Sequence, residues 1–209
     1  MKQHVIELFH RSIEAKMTVG EELSGPLILA AERLTSQLSQ GNKILSCGEG
    51  LSNALAATFT RCLTHGYHME RPGFPALTLY GESSPGDLHD SKTNTSPYTQ
   101  ALNVLGAEGD VLVIFSAGYS GLSLLGAIET AKNQNMVVIA FTANGDRALS
   151  HLLDGNDIEL HVANDDQYRI QEIQQLCLFC LCDLIEAHLF GEEILCLIQH
   201  AQHMSWLFY

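Results

Sequence analysis

Basic residues are scarce in this chain. Eleven Lys and Arg stand against 24 Asp and Glu, a formal charge of −13 with His neutral. Phosphate-backbone binding needs clustered cations, so direct nucleic-acid binding is excluded as a main role. Long apolar runs are lacking too: none approaches the roughly 18–20 uninterrupted residues of a membrane-spanning helix. The N-terminus, MKQHVIELFHRSIEAK, mixes charges into its apolar positions and has no signal-peptide core. A cytoplasmic location is expected. Neither a GK[ST] phosphate loop nor a GxGxxG turn occurs, and no Pro-, Gly- or Ser-rich linker divides the chain.

What is present is globular. Residues of apolar type make up 46% of the 209 and charged residues 17%, enough to bury one sizeable core. The six cysteines, Cys47, Cys62, Cys177, Cys180, Cys182 and Cys196, fall inside apolar runs. Cys177 and Cys180 form a CxxC, but no second ligand pair stands at zinc spacing, so small buried hydrophobes are expected. The His65/His68 and His200/His203 pairs have no acidic ligand at motif spacing and read as solvated. No metal and no cofactor is expected.

The chain is organised around Asn42–Ser52, NKILSCGEGLS. A short apolar run, Ile44–Cys47, ends in Gly48-Glu49-Gly50, and a helix-period pattern starts at Leu51. A strand, a glycine turn and a helix start aim free N–H groups at one point, where anions bind. An unliganded tight turn has the same pattern, and Glu49 opposes an anion.

Before this stretch, Val5, Ile6, Phe9, Ile13 and Met17 mark an amphipathic helix over 2–18. Pro26 then opens a second, carrying Leu27, Leu29, Ala30, Leu34 and Leu38 to a stop at Gly41. Such a pair, added before a core, packs either on another subunit or on its own domain. After Gly41 strand and helix alternate. Strands are expected at Ile44–Cys47, Pro75–Tyr80, Asp110–Phe115, Met136–Phe141 and Ile158–Val162. Helices are expected at Leu51–Thr64, Tyr98–Leu105, Leu122–Lys132 and Gln167–Leu189. Glu82–Ser96 is the longest candidate loop, and its Asp87, His89 and Asp90 could approach a ligand.

Continuous Val, Leu and Ile runs with helical crossovers give an α/β fold: a doubly wound three-layer sandwich on a five-stranded parallel sheet. The organisation expected is a helical pair over 1–40, an α/β unit over 41–191 and an apolar extension over 192–209, all one domain. Ligands of such sheets bind outside the carboxyl ends of the strands, where strand order reverses. Gly48–Ser52 and Ser116–Gly121 are glycine- and serine-bearing turns at two strand ends, together a candidate phosphate cradle.

GNKILSCGEG-x-S, ERPGFPALTL, GDVLVIFSAGYSG and RIQEIQQLCLFCLCDLIE resemble the SIS (sugar isomerase) family, in the branch holding phosphoheptose isomerase. The resemblance runs from the N-terminal helices to about Phe190. It implies a homotetramer and a sugar-phosphate site on Gly48, Gly50, Ser52, Ser116, Ser120 and Gln171. In the isomerases the first loop reads CGNGGS, where this chain has CGEGLS; STSGNS on the other loop becomes SAGYSG. The enzyme's proton-transferring glutamate falls at Cys62 and its histidine at Phe179. Further histidine positions fall at Thr58 and Gln174. Only Gln171 remains of these catalytic positions, and an amide does not exchange protons near neutral pH.

Arg169-Ile170-Gln171-Glu172, Cys180-Leu-Cys182-Asp183 and Leu189-Phe190 resemble a non-enzymatic branch that associates with the replication initiator DnaA. That likeness implies a DnaA-type partner contacted through Leu189 and Phe190. Two other readings stay open. One is a sedoheptulose 7-phosphate isomerase with a replacement acid/base pair, for which Asp87, His89, Asp90 and Glu172 are the candidates. The other is a sugar-phosphate sensor without turnover.

Overall fold

The computed structural model describes residues 1–80 and 96–191. The loop residues Asp87, His89 and Asp90, together with Cys196, His200, His203 and the rest of the expected extension, lie outside the described residues.

Five parallel strands form one sheet in the order β2-β1-β3-β4-β5: β1 (Ile44–Gly48), β2 (Ala76–Thr78), β3 (Val111–Phe115), β4 (Val137–Ala143) and β5 (Ile158–Val162). Helices α1 (Lys2–Ser39), α2 (Ser52–His65), α3 (Pro97–Leu105), α4 (Leu122–Asn133), α5 (Arg147–Ser150) and α6 (Gln167–Phe190) cover it. The period of two along β3 divides the core. Val111, Val113 and Phe115 pack with Leu34, Phe59 and Leu178 on the α1/α2/α6 side. Leu112 and Ile114 pack with Leu102, Leu124 and Ile128 on the α3/α4 side. With apolar helices on both faces, no position of β3 can be polar, and all five are buried. Phe115 stacks on Phe141 at 4.5 Å between ring centroids. The expected three-layer fold is the one observed.

The N-terminal helices differ from expectation. They are one 38-residue helix with Pro26 inside it, about 57 Å long at the standard rise. Proline removes the hydrogen bond to the carbonyl four residues back, a cost of about 3 kcal/mol in an ordinary helix. A buried stripe runs through the break: Val19, Leu23, Leu27, Ala30, Ala31 and Leu34. It packs against α6 and β5, and burying five or six such side chains outweighs a single lost bond. The stripe ahead of it is uncovered; Phe9 is 66% exposed and Met17 70%.

Helix α6 is capped by Asp166, whose carboxylate accepts from the N–H groups of Tyr168 and Arg169 at 2.9 and 3.4 Å. By length and composition it could cross a membrane, because from Ile173 on it is mostly apolar, with Asp183 and Glu186 the only acidic or basic side chains apart from His188. Here it is the core helix, packed on α1 and α2. The short α5 has no counterpart in the sequence expectation, and β2 is shorter than expected.

Candidate functional site

Strand order reverses between β1 and β3, which pair in register from Ile44–Val111 to Gly48–Phe115. The turns that follow them therefore leave the sheet side by side. Gly48 is dictated by this closeness: a Cβ there would lie 2.6 Å from the Ser52 carbonyl oxygen and 2.9 Å from that of Phe115. Gly50 supplies a left-handed turn, φ +56°, and α2 starts two residues on. The Tyr98 hydroxyl donates to the Gly48 carbonyl at 2.6 Å and fixes the strand end from the other layer.

Between the two turns lies a cavity of about 180 Å³, with Glu49, Ser52, Ser116, Tyr119, Gln167 and Gln171 among its walls. Gln171 Nε2, on α6, donates to Ser52 Oγ at 2.7 Å. Ser116 Oγ donates its one proton to Asp146 Oδ1 at 2.7 Å. The other oxygen of Asp146 accepts from the N–H groups of Gly118 and Ala143, each at 2.9 Å. Asp146 is fully buried and acts as the knot joining the turns after β3 and β4. Gln174 Nε2 donates to the Ser116 carbonyl at 2.7 Å.

Glu49 Oε2 accepts from Gly121 N–H at 3.0 Å, crossing from the first turn to the second. Gly121 is the N-cap of α4, which has no side-chain cap of its own and no acidic residue in its first turn. A Cβ at position 121 would lie 2.7 and 2.9 Å from the two Glu49 carboxylate oxygens, so glycine there makes room for the acid.

Of the sequence candidates, Gly50, Ser52, Ser116 and Gln171 come together on the cavity wall. Gly48 lies at the end of β1 outside that lining, and Ser120 is likewise outside it. Tyr119, Gln167 and Asp146 were not anticipated. Asp146 carried one signal, its place in the TANGD turn after a continuous apolar strand.

The positions of the enzyme's acid and base lie away from this wall. On α2, the Cys62 thiol receives a hydrogen bond from Cys182 that, with help from Arg61 and Arg71, outweighs burial and Glu186 and lowers its pKa to about 7. Cys182 keeps the shared proton and is pushed upward. Phe179 stacks on Tyr67, with centroids 5.6 Å apart. The Thr58 hydroxyl donates back to the Ala54 carbonyl at 2.8 Å.

Glu172 Oε2 accepts from Ser12 Oγ at 2.6 Å and from Arg169 at 2.7 Å. Burial pushes this carboxyl up, but Ser12, Arg169 and Lys16 outweigh it and hold the group below its ordinary range. Among the described residues no group of three His, Cys, Asp or Glu is placed to hold a metal.

At the far end of α6, Phe190 stacks on Phe74 with centroids 6.2 Å apart, and Leu189 packs against the core. Just before them, Glu186 accepts from the N–H groups of Tyr67 and His68 and from Arg71 Nε, at 2.8 to 3.0 Å. Both partners of the Arg71–Glu186 ion pair are buried. Burial raises the Glu186 carboxyl, yet these three donors more than offset it and leave it lowered.

Residues 8–143 match the SIS domain family. The chain is 33% identical to a phosphoheptose isomerase of Halorhodospira halophila over 194 residues, 90% of this chain and 96% of that protein. It is 32% identical to the DnaA initiator-associating protein DiaA of Shigella flexneri, over 92% of this chain and 99% of that one. Among solved structures, it is similar to a phosphoheptose isomerase from Francisella tularensis, with a TM-score of 0.78 and 33% identity over 88% of this chain and 96% of that one.

Proposed function

The chain belongs to the SIS domain family, and on that premise we propose that it is a non-catalytic regulator that binds a DnaA-type replication initiator. Enzymes and initiator-associating proteins stand at the same distance from it, 33% and 32% identity, so overall similarity does not choose between them. The observation that carries the reading is the state of the proton-transfer positions. Moving a proton beside a carbonyl takes a base and an acid within reach of the substrate. By resemblance those positions are Cys62 and Phe179, and neither lines the cavity. Among the described residues, the cavity wall has one carboxylate, Glu49, and no histidine.

On this reading the protein acts in the cytoplasm as a homotetramer that presents several copies of one surface. Linked copies raise the effective concentration of bound initiator molecules at the origin, which needs no chemistry in the cavity. Leu189 and Phe190 are the proposed contacts. Purified protein carrying Leu189→Ala and Phe190→Ala should lose capture of DnaA while its sedimentation stays that of wild type and its circular dichroism that of a folded protein. Undiminished capture by a folded double variant would remove this site.

The similarity to phosphoheptose isomerases favours a second reading, a sedoheptulose 7-phosphate isomerase. A direct assay separates them: turnover near about 1 per second, at the low end for enzymes, would overturn the regulator.

A further inference from the structure

We propose that Glu49 is the resident anion of the cavity, holding the start of α4 against phosphate monoesters. The start of a helix presents unsatisfied N–H groups and the positive end of its dipole, and both draw anions. Here that place is already taken. Glu49 Oε2 sits 3.0 Å from Gly121 N–H, and both carboxylate oxygens fill the space that a side chain at 121 would need. The acid comes from the opposite turn, which makes it a strut across the mouth between β1 and β3.

The hydroxyls are unequal. Ser116 donates its proton to Asp146, while Ser52 accepts from Gln171 and keeps its own proton. No Lys, Arg or His lines the cavity among the described residues, so nothing there offsets a second negative charge. A phosphate dianion entering would meet a carboxylate in a partly enclosed space, where repulsion is screened less than in bulk water. The same pocket without that carboxylate has the turn geometry, the hydroxyls and the helix end that an anion uses. A single residue thus decides whether the cavity accepts phosphorylated ligands.

This inference goes beyond the partner reading and stands whether or not DnaA binds. Calorimetry with inorganic phosphate and with sedoheptulose 7-phosphate tests it on wild type, Glu49→Gln and Glu49→Gly. Gln retains an acceptor for Gly121 N–H without the charge, which guards against collapse of the turn; circular dichroism and melting temperature check the fold. Both variants should bind at least about tenfold more tightly than wild type, a change of ~1.4 kcal/mol. Wild type binding as tightly as the variants would overturn the proposal, and so would folded variants that bind no better than wild type. DnaA capture by the same variants should be unchanged, which keeps the two readings separate.

Discussion

At the scale of single residues, the thiols differ more than their shared apolar surroundings suggest. Cys47 is fully buried, and burial together with nearby Glu49 drives its pKa far up. Cys177 is pushed up to about 12, chiefly by burial. Cys62, half-buried, is lowered to about 7 by the hydrogen bond from Cys182. Thiolate is the nucleophile, so Cys62 should be mostly protonated about one unit below that pKa and mostly ionised about one unit above it. Alkylation by iodoacetamide, read by peptide mass spectrometry, should label Cys62 well before Cys47 or Cys177, with a rate that climbs through pH about 7. Cys182→Ser, a different donor at the same place, should shift that midpoint; a profile identical to wild type would show that Cys182 does not set it.

At the scale of elements, α1 carries two glycines with open space around them. Beyond its chain neighbours and the helix's own backbone, a Cβ built at Gly20 or Gly25 meets nothing within 4 Å. Alanine costs less conformational entropy in a helix interior, so Gly20→Ala should stabilise by about 0.5–1 kcal/mol, measurable by urea denaturation, whereas a Cβ at position 25 would meet the Pro26 ring and forfeit that gain. The strands of the sheet were legible because covering both faces forces continuous apolar runs, as in DVLVIF and MVVIAF. The join in α1 was not: Gly25-Pro26 is a local stop signal, while the stripe from Val19 to Leu34 that overrides it is satisfied by α6, far along the chain. Helix α5, four residues long, leaves no periodicity to read. The turns of the cavity were legible from glycine and serine after apolar runs. The direction of Glu49 and the role of Asp146 were not, since both depend on which strand ends are neighbours.

For the whole molecule, Val5, Phe9, Ile13 and Met17 form an exposed apolar stripe at i, i+4 spacing, the kind of surface that commonly meets a partner. The proposed tetramer supplies its cover. Phe9→Glu with Met17→Glu should lower the sedimentation coefficient to that of a smaller species and leave the circular dichroism of the α/β unit intact. An unchanged coefficient would place the subunit contacts elsewhere.

Because α1 is one rod rather than two, its ends are mechanically joined. Ser12, in the outlying half, grips Glu172, the immediate neighbour of the glutamine that holds Ser52. In the proposed tetramer, a partner seated on the exposed arm would therefore act one residue from the cavity. Any effect of subunit assembly on filling of the hollow must then be matched by an equal effect in the other direction, carried through the Ser12–Glu172 contact rather than through Pro26.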